Sequence, residues 1–214
     1  FRVQGNATLS LLGQEPGRLQ IKNCSSTGGD SNPEHGRSIT VEQNGTLHGS
    51  NIDFTGNGEM HKVPSGWGSS GGAIALLDAA SLILTNCAFR FNRGTSGSAV
   101  YVRTSNQRDC MDSSDVVIED TVFEHNMVGL DGGAFAFESS SDTGKQSGCL
   151  APIKAVLRST YFDANQCAIH RGSDGTTTTA GWGGCIRVQG EGLTGGNIFL
   201  SISQSSFQRC QALR

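Results

Sequence analysis

Side chains able to do chemistry are sparse and scattered in this chain. Of 214 residues, 19 are Asp or Glu, 5 are His and 7 are Cys. Cleaving a polysaccharide on an elongated β scaffold needs two or three carboxylates, with Arg, Lys or a calcium ion, converging on one face. The places where such a face would lie alternate with apolar residues after four recurring glycine marks. They are Ala75, Tyr101, Ala136 and Arg187, then Leu77, Arg103, Glu138 and Gln189. One carboxylate stands among them, and Arg103 with Glu138 reads as an exposed cross-strand ion pair before it reads as catalysis. Asp120 lies three residues before Phe123, a place held elsewhere by Asn51, Asn86, Ser159 and Gln204. Polarity recurs there regardless of charge, as a hydrogen-bonding corner would select. His35, His48, His61, His125 and His170 share no metal-ligand spacing. No Cys-x-x-Cys occurs, so redox catalysis has no basis either. The expectation is a protein that is not an enzyme and uses neither metal nor cofactor.

Cysteine serves covalent structure better than catalysis here. Seven in a chain of this size point to an oxidising compartment, and the odd number leaves at least one without an internal partner. Cys110 and Cys149 occupy corresponding insertions after successive glycine marks and are the first expected disulfide. Cys167 and Cys210 are the second, with Cys185 competing for Cys167. Cys24 and Cys87 read as equivalent places two units apart, ~10 Å, too far to bond. Three glycosylation sequons, beginning at Asn6, Asn23 and Asn44, point to the same compartment. Together they place the protein outside the cell or on its surface.

Composition narrows the class further. There are 30 glycines, charged residues make up 16%, and the net charge is −3. That is the balance of a turn-rich β protein, and it lacks the basic footprint of nucleic-acid binding. No apolar stretch approaches the ~18 residues of a membrane-spanning helix, so no membrane contact is expected within the chain. A repeat is already running in the first thirty residues and no leader pattern precedes it, so the chain reads as a segment of a longer protein.

That repeat supplies the elements that position everything else. Phe54-Thr-Gly-Asn57, Phe89-Arg-Phe-Asn92, Phe123-Glu-His-Asn126 and Phe162-Asp-Ala-Asn165 recur in order, and Phe207-Gln-Arg-Cys210 is a fifth copy with cysteine in the asparagine place. Alternating with them are Gly71-Gly-Ala-Ile74, Gly97-Ser-Ala-Val100, Gly132-Gly-Ala-Phe135 and Gly183-Gly-Cys-Ile186. Apolar residues fall at every second place after each glycine mark, and again at seven and five residues before each Phe, which is strand periodicity. The amino-terminal part threads less clearly: Leu19 and Ile21, with Cys24, resemble a second strand, and Ile39, Val41 and Leu47 to Asn57 form a unit without the double glycine.

Stacked units of this kind predict an all-β, right-handed parallel β-helix of about six coils. It is expected to be one domain over 1–214, with degenerate coils in 1–58 and four clearer ones in 59–214. Phe54, Phe89, Phe123, Phe162 and Phe207 would stack inside. Asn57, Asn92, Asn126 and Asn165 would form a ladder of side-chain amides. Insertions fall in turns, at 105–114, 139–152, 166–181 and 189–196, where solenoids carry recognition. The threonine run 176–179 lies within one of them and reads as a glycosylated or flexible loop.

The paired marks resemble the polymorphic outer membrane protein repeats of chlamydial autotransporter passengers, which also occur in large surface proteins of algae and other protists. The resemblance covers residues 50 to 210, with Cys210 and Gly97-Ser98 as departures from the pattern. It implies the pectin-lyase-like β-helix and a role as adhesin or surface-display region. The functional expectation is a non-catalytic structural or adhesion module whose partners are other protein chains or surface glycans, with self-assembly through flanking coils. The alternative is a carbohydrate-active β-helix, either a lyase, a glycosidase or a lectin-like binder.

Overall fold

The structure is a computed structural model that describes residues 1–14, 17–24, 38–58, 71–104, 106–107, 113–139, 149–167, 170–171, 177–179, 183–190 and 197–212. Every regular element among them is a β-strand. Three parallel sheets of six strands and one of four carry the fold.

The first sheet holds Arg2–Gln4, Ile39–Glu42, Ile74–Leu77, Val100–Thr104, Phe135–Ser139 and Ile186–Gly190. In the second are Thr8–Leu12, Thr46–Ser50, Ser81–Thr85, Ser114–Glu119, Ile153–Arg158 and Ile198–Ser203. The third holds Leu19–Lys22, Ile52–Thr55, Ala88–Arg90, Val122–Glu124, Tyr161–Asp163 and Ser206–Gln208. Four short strands, Arg93–Ser96, Met127–Asp131, Gln166–Cys167 and Gln211–Ala212, make the fourth. The chain therefore visits the sheets in rotation, and each visit adds a strand beside the previous one. This is a β-solenoid.

Register follows the apolar alternation, because a slip of one residue would turn every inward side chain outward. Ile74, Val100 and Phe135 align, as do Leu82, Val116, Ala155 and Leu200. Inward residues of the middle tiers are fully buried in one continuous core.

Corners are made by left-handed backbone. The polar place before each third-sheet strand, Asn51, Asn86, Asp120, Ser159 and Gln204, has φ of 56, 52, 49, 51 and 52°. Asn and Asp adopt that conformation most readily among residues with a side chain, which explains why polarity recurs there irrespective of charge. The glycine that opens each mark, at 71, 97, 132 and 183, has positive φ for the same steric reason.

The amino-terminal threading differs from the sequence reading. Leu19–Lys22 lies in the third sheet, with Ile21 opposite Phe54, while Thr8–Leu12 supplies the second-sheet strand. Ile21 therefore occupies a phenylalanine place, and Cys24, three residues on, occupies an asparagine place rather than the place of Cys87. The threonine run is likewise not a plain loop, since Thr177–Thr179 pairs antiparallel with His170–Arg171. Asn106–Gln107 pairs antiparallel with Cys149–Leu150, so the main chains of two successive insertions meet.

Candidate functional site

The side chains singled out by the repeat form vertical columns. Phe54, Phe89, Phe123, Phe162 and Phe207 stack face to face with centroids 4.6, 5.0, 4.7 and 4.6 Å apart. The spacing is that of neighbouring strands, ~4.8 Å, so register alone brings the rings into contact. Phe135 meets Phe123 edge-on at 5.0 Å and closes the column from the first sheet.

Asparagine occupies the adjoining corner. Oδ1 of Asn92 accepts the main-chain N–H and the side-chain amide of Asn57, both at 3.0 Å, and Asn126 and Asn165 repeat the arrangement one tier further each time. The remaining amide proton goes to the carbonyl of the phenylalanine place one tier back: Ile21, Phe54, Phe89 and Phe123. Every polar atom of these buried side chains is thereby satisfied. Cys24 N–H donates to Asn57 Oδ1 and extends the column below.

Above, the ladder ends in a disulfide that departs from the expected pairing. Cys210 bonds Cys185, with Cα atoms 5.3 Å apart, and not Cys167, which is a buried thiol. The reason is a close approach. A Cβ on Gly184 would stand 2.4 Å from Gln211 N, so the glycine lets the start of the first-sheet strand lie directly against the corner that carries Cys210. Cys167 belongs to the tier before, aligned with Val128 and Ala212. The expected Cys110–Cys149 bond involves Cys110, which lies outside the described residues, as do His35 and His61.

A second polar ladder escaped the sequence reading. Cys87, Thr121, Thr160 and Ser205 stack at the corner before the third sheet. Thr121 and Ser205 donate to the carbonyls two residues earlier at 2.7 and 2.8 Å, and accept the N–H of Cys87 and Thr160 from the neighbouring tier. Burial pushes the Cys87 thiol pKa above its ordinary value, which leaves it an inert member of this column. Recurrence of a small residue, Cys87, Thr121, Thr160 and Ser205, two before the last four phenylalanines of the column was the available signal.

Five outward-facing carboxylates are held by neighbouring tiers. On the third sheet, Asp53 lies 2.8 Å from Arg18 and 3.6 Å from Arg90, which also reaches Glu124 at 2.8 Å. Arg209 forks onto both oxygens of Asp163, and this hydrogen-bonded pairing lowers the carboxyl pKa below its ordinary value. On the first sheet, Glu42 accepts from Arg2 and Gln4. Glu138 is in register with Arg103, and its Oε2 accepts the Tyr101 hydroxyl at 2.8 Å. Tyr101 and Leu77, although outward, are buried. Asp120 and His125 are exposed, and His125 stacks on Phe91. Among the described residues no three His, Cys, Asp or Glu side chains are grouped to hold a metal, and no helix is long and apolar enough to cross a membrane.

Each sequon asparagine lies on an exposed corner. Asn6 and Asn44 occupy equivalent turns of successive tiers, since Thr8 aligns with Thr46, and Asn23 sits beside the ladder. No family model, curated protein or solved structure matches the chain.

Proposed function

We propose that the chain is a right-handed parallel β-helix of six coils, part of a non-catalytic structural or adhesion module outside the cell or on its surface. Right-handedness is the rule for parallel strands joined by crossovers in one sheet. The polymorphic outer membrane protein repeat remains the family that its paired marks resemble. The Cys185–Cys210 disulfide fits an oxidising compartment.

One observation carries the functional reading: the outward carboxylates Glu42, Asp53, Glu124, Glu138 and Asp163 are each tied to a side chain of an adjacent tier. Charges used in this way hold strands in register instead of facing a scissile bond. Recognition by other protein chains or surface glycans then falls to the corners and insertions. The alternative, a carbohydrate-active β-helix, draws on the cluster of Tyr101, Arg103, Glu138 and Arg187 on the outer face of one sheet.

Incubation with acidic and neutral polysaccharides separates the two readings. The scaffold reading expects no new reducing ends and no unsaturated products. Turnover that Glu138→Gln or Tyr101→Phe abolishes would overturn it.

A further inference from the structure

The residues immediately before the asparagine ladder form a column of their own: Asn23, Gly56, Phe91, His125, Ala164 and Arg209. The N–H groups of the first five donate to carbonyls of the next tier at 3.0 to 3.1 Å, and all six have φ between 47 and 65°. Equal backbone angles make the Cα–Cβ directions parallel, so side chains of successive tiers overlie one another. Phe91 and His125 do so, their rings 5.2 Å apart and within 5° of parallel. One face of Phe91 is thus covered. Its other face looks across Gly56, which has no side chain, toward Asn23.

Asn23 leans into that gap. A Cβ on Gly56 would stand 2.5 Å from Asn23 Oδ1, so any residue other than glycine would displace the amide. Phe91 is 55% exposed and holds a left-handed conformation that bulky residues avoid. An open aromatic face there has a cost, and among the described residues its ring partner is His125, on the side away from Gly56. The sequence around the amide is Asn23-Cys24-Ser25, a glycosylation sequon.

We propose that Asn23 carries an N-linked glycan whose first N-acetylhexosamine occupies the gap over Gly56, with its C–H face against the Phe91 ring. Attachment forms the bond from Asn23 Nδ2 to the anomeric carbon and breaks the bond from that carbon to a lipid pyrophosphate donor. The pyrophosphate leaves, and the amide gives up one proton. A pyranose presents weakly positive C–H groups, which the negative face of an aromatic ring attracts. One tier is ~4.8 Å, the thickness needed for one ring on another, so the sugar becomes a third member of the Phe91–His125 stack. The column of Asn6 and Asn44 continues with Ala79, which offers no ring. The glycan would shield the third-sheet flank and hold the corner that Cys24 N–H pins to Asn57.

This rests on the extracellular reading, and two measurements keep the failures apart. Peptide mapping of the native protein reports occupancy. Absence of glycan at all three asparagines overturns the glycoprotein reading itself, whereas glycan at Asn6 or Asn44 with none at Asn23 overturns this proposal alone. The chain secreted from eukaryotic cells and trimmed enzymatically to single sugars then reports packing by NMR. Upfield-shifted C–H resonances are expected for the Asn23 sugar, lost in Phe91→Ser and kept in Phe91→Tyr. Complete removal of that sugar should lower Tm by about 2–4 °C in the native sequence and leave Phe91→Ser unchanged. Unshifted sugar resonances in the native sequence would overturn the packing, whether or not the serine variant folds.

Discussion

Asn126 Oδ1 accepts both nitrogens of Asn92, the main-chain N–H at 3.1 Å and the side-chain amide at 3.0 Å. Its own amide donates to Phe89 O and Asn165 Oδ1. One side chain therefore joins three tiers through buried bonds. Asn126→Ala should destabilise by about 4 kcal/mol, since each buried group left unsatisfied costs about 1–3 kcal/mol. Asn126→Asp should cost about as much, because it keeps the acceptors but loses both donors. Urea unfolding reads both, and a loss below about 1 kcal/mol would show that the ladder is incidental.

The phenylalanine column predicts a gradient. Phe123 is fully buried between two rings, whereas Phe207 is 44% exposed at the last described tier. Phe123→Ala should cost about 3–5 kcal/mol and Phe207→Ala less than half of that. Equal midpoints in denaturant would contradict the stacking order.

At the top of the ladder, covalent closure replaces hydrogen bonding. The Cys185–Cys210 bond spans 25 residues, for which chain entropy gives about 3–4 kcal/mol. Cys210→Ser should lose most of this. Cys185→Ala combined with Cys210→Asn writes Ala134 and Asn165 into the next tier and offers Asn165 an amide oxygen to bond. The double variant should therefore be the more stable of the two when both are compared under oxidising conditions.

Acid sensitivity follows from Asp163. Its carboxyl pKa is held below the ordinary value, chiefly by the hydrogen bonds from Arg209, so the pairing stabilises the fold at any pH above the unfolded carboxyl range. That contribution fades as pH falls through the lowered folded value. Side-chain carboxyl NMR should find Asp163 still ionised below ~3.9, and Arg209→Gln should move its titration upward. No upward movement would mean that the ion pair does not form in solution.

The clearest parts of the fold in the sequence were those where spelling and geometry coincide. Phe89 and Asn92 are three residues apart because a third-sheet strand and one left-handed residue separate the inner face from the corner. Where another residue fills the same geometric place, the spelling is lost. Ile21 in a phenylalanine place hid the third-sheet strand at Leu19–Lys22 and put Cys24 in the wrong column. The disulfide was illegible for another reason. Cys185 and Cys210 meet because Gly184 allows a close approach between two corners of one tier, and no periodicity encodes that distance. The pairing of outward charges lay between these cases: alternation identified Arg103 and Glu138 as neighbours, but the Tyr101 bond needs a side-chain direction.

The stacking itself is tested most directly by distances along one column. Thr55, Arg90, Glu124, Asp163 and Gln208 are aligned residue on residue in the third sheet. Spin labels introduced as unnatural residues at Thr55 and at each of the others in turn should give electron-spin distances that lengthen by ~4.8 Å per tier, reaching about 19 Å at Gln208. Distances that failed to grow in strand order would contradict the solenoid and every role assigned to its columns.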